Sequence, residues 1–201
     1  VGELVAALRK TGRLDHTLII FTSDNGAVVA KDENFAKKWK LEPMWETYDA
    51  GHLSNGELRE GKHAVYEGGS RIPFIVSWPN HIPAGKIHEG LFCITDLFAT
   101  FADLFEVAAP ESAIDSLSFW SVWTGKDSKS PRTIAPARTS NSIFSIRLGK
   151  WKYVEHDAQN PTKRVSENSD QLYDLENDPS ETKNVFSQHP ELVDRLKQEL
   201  S

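Results

Sequence analysis

The chain has 201 residues and a mass of 22.6 kDa, enough to bury one good core with a small second lobe. Its 23 basic and 29 acidic residues leave a net charge of −6. That balance lacks the positive footprint needed for non-specific nucleic-acid binding, and no apolar run reaches the length of a membrane-spanning helix. Cys93 is the only cysteine, which excludes disulfides within the chain. The chain opens on Val1-Gly2-Glu3 without a methionine and already inside a helical pattern. It therefore reads as part of a longer protein whose targeting sequence would lie upstream.

Leu4, Val5 and Leu8 share one face of a helix over residues 3–10, with Gly12 as its stop. Residues 17–22, TLIIFT, then read as a strand buried on both faces, of the kind found inside a parallel sheet. Helix followed directly by strand is half of a crossover unit. The strand runs out at Asp24-Asn25-Gly26. That triplet is an ordinary turn signal. It also sets a carboxylate beside an amide where open α/β sheets collect ligands, and two oxygen donors suit calcium or magnesium.

Residues 27–59 keep no steady period and read as a long ordered loop holding Trp39, Pro43, Trp45 and Gly51, a length usual for functional loops. A glycine-rich segment, residues 61–73, leads into a strand over residues 74–78. Cys93 lies in Leu91-Phe92-Cys93-Ile94 and reads as a small buried hydrophobe. Thr95 or Asp96 then caps a helix whose stripe of Leu97, Phe98, Phe101, Leu104 and Phe105 should be buried. Residues 110–136 are rich in Ser, Pro and Lys and read as a linker. Short β-type runs follow at 142–147, 151–155 and 171–174, with Gly149-Lys150 as a hairpin turn. The last helix begins at Pro190 and buries Leu192, Val193, Leu196 and Leu200, which completes a small antiparallel α+β lobe.

Two segments taken together carry more than either alone. Thr22-Ser23-Asp24-Asn25-Gly26, followed downstream by Gly61-Lys62-x-x-x-Tyr66-Glu67-Gly68-Gly69-x-Arg71-x-Pro73, resembles the C-terminal half of the formylglycine-dependent sulfatases. Asn55-Gly56, Thr95-Asp96-Leu97, Arg147-Leu148-Gly149-Lys150-Trp151-Lys152-Tyr153 and Leu172-Tyr173-Asp174-Leu175 continue the likeness in the family's order. The resemblance implies an alkaline-phosphatase-like α/β fold, with part of a central mixed or parallel sheet and a small C-terminal lobe. The division it suggests is catalytic α/β domain at 1–112, connecting segment at 113–136 and C-terminal subdomain at 137–201.

The same resemblance assigns roles. Asp24 and Asn25 match the family's downstream metal pair and would hold calcium. Lys62 matches the lysine that contacts a sulfate oxygen and neutralises the leaving group, a task that suits a compact ammonium. His52 sits where carbohydrate-acting sulfatases often carry a histidine, so it would grip the sugar or move a proton. Arg59, by its charge and not by the resemblance, would meet an anionic substrate. For each of these residues an ordinary loop role is the competing reading. Glu67 and Arg71 read as structural, in a local ion pair or as backbone anchors. The family makes its formylglycine nucleophile from a Cys or Ser in a C/S-x-P/A-x-R context, and neither Cys93 nor any serine here has it. The nucleophile is therefore expected upstream of this chain. Many relatives carry a histidine before the Arg147 strand, where this chain reads Ala137-Arg138-Thr139-Ser140-Asn141-Ser142.

The reading is the C-terminal part of an enzyme cleaving O-sulfate esters of a small molecule or glycan, inactive by itself and without a nucleic-acid partner. Family members are commonly periplasmic, secreted or lysosomal, and the chain itself carries no address. Two rivals remain: a non-catalytic sulfoglycan-binding relative, and a phosphodiesterase or phosphonate hydrolase of the same superfold. Two-metal members of that superfold place Asp-His pairs at strand ends.

Overall fold

A computed structural model describes residues 1–139, 143–155 and 169–200. The Ser142 end of the expected strand and the Ser140-Asn141-Ser142 departure lie outside the described residues. The chain divides into two compact units, one of residues 1–22 and 73–135, the other of residues 23–72 and 136–201.

In the first unit, helix α1 spans Gly2–Lys10. Gly12 ends it at φ 67°, with Gly12 N donating to Arg9 O (3.2 Å) and Arg13 N to Leu8 O (2.9 Å). These two bonds satisfy carbonyls that the helix end would otherwise orphan. Strands β1 (Ile19–Thr22) and β2 (Phe74–Ser77) pair antiparallel, with Ile19 opposite Ser77 and Thr22 opposite Phe74. The expected parallel neighbours of β1 are absent among the described residues. The strand is not buried on either face: Ile19 and Ile20 are half-buried and Phe21 is exposed. Runs of apolar residues report what a strand can bury, and they do not report the direction of its partner.

Helix α5 spans Asp96–Leu104; it fully buries Asp96 and Thr100, while Leu97, Phe101 and Leu104 of the apolar stripe are half-buried and Phe98 and Phe105 are exposed. (Helices α2, Glu33–Trp39, α3, Glu42–Asp49, and α4, Glu67–Ser70, belong to the second unit.) The reason is a polar lock. Arg132 grips the buried Asp96 through Nε (2.8 Å) and Nη2 (2.5 Å), and Asp96 also accepts from Cys93 N and Leu117 N. A bidentate guanidinium–carboxylate pair with its remaining lone pairs filled is the form in which a buried charge is tolerated. Thr95 gives no side-chain cap. Residues 113–133 are tied to this helix: Ser116 Oγ accepts from Ala99 N and donates to Thr95 O. Helix α6, Trp120–Trp123, closes an aromatic cluster in which Phe92 packs at 4.3 Å from Phe74 and 4.9 Å from Phe119 between ring centres.

The second unit is built on a four-stranded sheet in spatial order β3 (Ile134–Arg138), β4 (Phe144–Leu148), β5 (Trp151–Val154), β6 (Gln171–Asp174). Pro136 is confined to an edge strand, where its missing N–H costs least. Strands β4, β5 and β6 pair antiparallel, and Gly149 at φ 57° makes the expected hairpin turn. Helix α7, Pro190–Leu200, buries Val193 and Leu196 as its periodicity requires. Val65, Tyr66, Ile143, Val154, Tyr173 and Leu175 form the core.

The expected loop over residues 27–59 contains two helices, α2 (Glu33–Trp39) and α3 (Glu42–Asp49). Asp32 caps α2 by accepting from Phe35 N at 2.7 Å, Lys40 ends it in the left-handed region, and Pro43 sits in the first turn of α3. Each helix spans about two turns, too few for a periodic signal to emerge. The cap and the proline were the readable signals.

Candidate active site

In the second unit the two motif segments interlock through their backbones. Ser23 Oγ donates to Asn25 O (2.8 Å), closing the turn after β1. Gly26 N then donates to Gly69 O at 2.9 Å, and a Cβ on Gly26 would overlap the Gly68 carbonyl oxygen. Ala27 N donates to Asn55 Oδ1 (2.8 Å), while Asn55 Nδ2 donates to Glu60 O (2.9 Å). Lys62 N donates to Ala27 O at 3.0 Å, and a Cβ on Gly61 would overlap that same oxygen. Glycines at 26 and 61 are therefore required for close approach of backbone to backbone. Asn55 stood out in the sequence only as part of the Asn55-Gly56 motif, and its role as a backbone clamp was not legible there.

Beneath this frame lies a buried charge cluster. Helix α4, Glu67–Ser70, starts at the buried Glu67. Its Oε1 accepts from Lys152 Nζ at 2.9 Å and its Oε2 from Arg147 at 3.1 Å. Glu181 Oε2 accepts from Glu67 N at 2.6 Å, and its Oε1 lies 3.1 Å from Lys152 Nζ. Two cations thus form ion pairs with two carboxylates, and Arg59 adds positive charge beside Glu181. Burial pushes the Glu181 carboxyl above its ordinary value, and the charge of Lys152 pulls against that shift. Glu67 is structural as read from the sequence, but its partners are Arg147 and Lys152 instead of Arg71. The missed signal was a lysine at an inward position of the otherwise apolar strand β5, where all of Lys152, Tyr153 and Val154 are buried.

The candidate side chains are placed as follows. Asp24 is exposed and, among the described residues, its carboxylate has no hydrogen-bond or ion-pair partner. Asn25 is half-buried; its Nδ2 donates to Gly26 O at 2.9 Å, which leaves the amide oxygen unused among the described residues. Lys62 is exposed and enters no ion pair among those residues. It lines a cleft of about 310 Å³ with Val29, Lys31, Phe35 and Glu60. His52 and Arg59 line a larger cleft of about 530 Å³. The two clefts share Val29, Lys31 and Glu60. Arg59 is anchored inward: Nη1 donates to Tyr173 Oη (2.9 Å) and to Glu181 O (2.7 Å), and the guanidinium lies 3.9 Å over the Tyr66 ring.

The backbone frame thus brings the Asp24-Asn25 turn beside Lys62, while His52 and Arg59 occupy the adjoining cleft. Cys93 belongs to the other unit. It is half-buried, and burial pushes its thiol up, away from the thiolate a nucleophile needs.

Comparison with known proteins agrees with the motif order. The sequence model of the sulfatase family matches residues 1–107, and that of the N-sulphoglucosamine sulphohydrolase C-terminal region matches residues 60–201. The chain belongs to the sulfatase family. An N-acetylgalactosamine-6-O-sulfatase of Bacteroides thetaiotaomicron is 37% identical over 203 residues, covering 98% of this chain and 38% of that protein. Human arylsulfatase A is 32% identical over 219 residues, covering 98% of this chain and 40% of its own length. A solved sulfatase structure from glycosaminoglycan metabolism in B. thetaiotaomicron superposes with a TM-score of 0.82 at 36% identity, over 99% of this chain and 41% of that one. Another, crystallised in complex with a neocarrahexaose, gives 0.72 at 29% identity, over 99% and 39% of the two chains. The fold is accordingly the alkaline-phosphatase-like α/β fold of the sulfatases, of which this sulfatase chain spans about two fifths. Among the described residues no helix is long and apolar enough to cross a membrane.

Proposed function

We propose that the protein containing this sulfatase chain hydrolyses O-sulfate esters of a carbohydrate, and that the chain is its C-terminal portion. The observation carrying this reading is the frame that ties the Asp24-Asn25 turn to the Lys62 loop through Ala27 and Gly26 while leaving the Lys62 ammonium exposed and without an ion pair among the described residues. Lys62 holds a sulfate oxygen and neutralises charge on the departing alkoxide. Because that charge grows toward the transition state, the contact speeds the chemical step beyond what it adds to binding. His52 grips the sugar or gives the leaving oxygen its proton. Arg59 is held inward by Tyr173, the Glu181 carbonyl and the Tyr66 ring, so its part in meeting an anionic substrate is to lend positive charge to the wall of the larger cleft without direct contact.

Asp24 and Asn25 would hold calcium. Their donors are hard oxygens, and Asp24 lacks a protein counter-charge among the described residues, both of which fit such an ion. Two ligands fall short of the usual six to eight, and no group of three or more His, Cys, Asp or Glu able to hold a metal occurs among the described residues. The rest of the shell comes from elsewhere in the protein or from water. When bound, calcium supplies Lewis-acid polarisation of sulfate oxygens. The formylglycine nucleophile lies upstream, since the chain has no C/S-x-P/A-x-R sequence. A carbohydrate substrate is supported by the names of the relatives, one acting on N-acetylgalactosamine 6-sulfate and one bound to a neocarrahexaose. The division at 1–112, 113–136 and 137–201 belongs to the same reading, with the first family match ending at residue 107.

The test is Lys62→Ala in the full-length protein, assayed on a sulfate ester with calcium present and with calcium chelated. We expect turnover to fall by about a hundredfold to a thousandfold, the scale for removing one preorganised charge contact. Near-normal turnover by the variant refutes the role of Lys62. Tight binding of a sulfated sugar by the wild type without turnover supports the non-catalytic alternative. The 201-residue chain alone should show no activity.

A further inference from the structure

We infer that the exposed face of α2 is a subsite for further sugar units of a sulfated oligosaccharide, running outward from Lys62. Phe35 and Trp39 are one helical turn apart on α2 and keep 44% and 60% of their surfaces exposed in this chain. Their ring centres are 6.5 Å apart at 49°, so the pair forms a bent apolar ledge. Phe35 also lines the 310 Å³ cleft that contains Lys62, a volume at the lower end of small-ligand pockets. The path therefore runs from the lysine through the cleft to Phe35 and on to Trp39, all within one unit.

Charge selects the occupant. Residues 31–40, KDENFAKKWK, carry four lysines against two acids, in a chain whose net charge is −6. Both acids are engaged: Asp32 caps α2, and Glu33 pairs with Lys37. Lys31 lines the cleft, and Lys38 lies 5.6 Å over the Trp39 ring. Glu60 is the one acid on the cleft wall not used in this way. Apolar rings set among lysines fit a ligand with flat C–H faces and anionic substituents. A sulfated glycan chain has both, whereas a neutral apolar partner would strand the ammonium groups.

The inference rests on the carbohydrate reading above, and its test is a binding measurement that does not depend on turnover. Full-length protein, with divalent ions chelated, is titrated calorimetrically with 6-sulfated N-acetylgalactosamine and with a sulfated hexasaccharide of the same sugar. We expect the wild type to bind the hexasaccharide about tenfold more tightly than the monosaccharide, the scale of one or two aromatic stacking contacts. Phe35→Ala/Trp39→Ala should abolish that difference, and Trp39→Phe should largely keep it. Equal binding of the two sugars by the wild type overturns the inference. So does a difference that survives the double substitution, or concentration-dependent self-association lost in Trp39→Ala with sugar binding unaltered, which would assign the face to a second copy. If the difference holds but no sulfate ester is turned over, the subsite stands and the hydrolase reading fails.

Discussion

Lys152→Met removes one of the two cations that form ion pairs with the buried Glu67 and Glu181. The Lys152, Glu67 and Glu181 side chains are 3%, 4% and 0% exposed, so solvent cannot replace the missing partner. Arg147 still faces Glu67 at 3.1 Å, so Glu181 is the carboxylate that loses its ion pair, keeping the Arg59 guanidinium on its carbonyl side. Breaking a buried pair in this way costs about 3–5 kcal/mol. At about 2–4 °C per kcal/mol for a cooperative unit of 150–250 residues, the melting transition of the full-length protein should fall by roughly 10 °C. The pH dependence follows from the sign of the shift. The folded-state pKa of Glu181 is raised, so the proton it binds favours the folded state at low pH, and that contribution is lost as pH rises through the folded value. Without Lys152 opposing the shift, the penalty should be larger at pH 8 than at pH 5. Lys152→Met/Glu181→Gln should recover most of the loss, because Glu67 and Arg147 then remain as a balanced pair. The contrast is Lys37→Met, whose pair with Glu33 is 60% and 48% exposed and contributes only about 0.3–0.5 kcal/mol. Differential scanning calorimetry of the three variants decides the matter. A Lys152→Met loss no larger than that of Lys37→Met, or one that does not vary with pH, refutes the reasoning.

Gly26→Ala should abolish the junction between the Asp24-Asn25 turn and the Gly68-Gly69 segment, since its Cβ would overlap Gly68 O, and activity and melting temperature should both drop. Gly2→Ala, with open space around its Cβ in α1, should instead hold or raise stability by up to about 1 kcal/mol. Asp178 accepts from Thr182 N, Thr182 Oγ1 and Lys183 N at 2.8–3.0 Å; burial pushes its carboxyl up, but these hydrogen bonds outweigh it and hold it below the ordinary 3.8. A depressed folded pKa gives stability that is present above the unfolded value and lost as pH falls through the folded one. The melting difference between wild type and Asp178→Asn should therefore be full at pH 7 and shrink below pH 3.8; a constant difference would refute this role.

By itself the sequence determined the elements with strong local signals. Gly12 and Gly149 permit the left-handed turns found there, Pro190 presets the first helical φ, and the α7 stripe of Val193 and Leu196 repeats over enough turns to show its period. The order of its motifs, from Asp24-Asn25 through Lys62 to Leu172-Tyr173, also identified the family, because motif order survives where pairwise contacts are unreadable. Tertiary structure decided the rest. The direction of β2 beside β1, the inward turn of Asp96 in place of Phe98, and the two short helices at residues 33–49 depend on partners distant in sequence. The site divides in the same way. Lys62 and Asp24 were legible as candidates because the motifs that hold them are contiguous in sequence. The clamp at Asn55 and the balance of Glu67 with Lys152 and Glu181 were not, because a charge or an amide declares its partner only when folding brings the two together and removes the water between them.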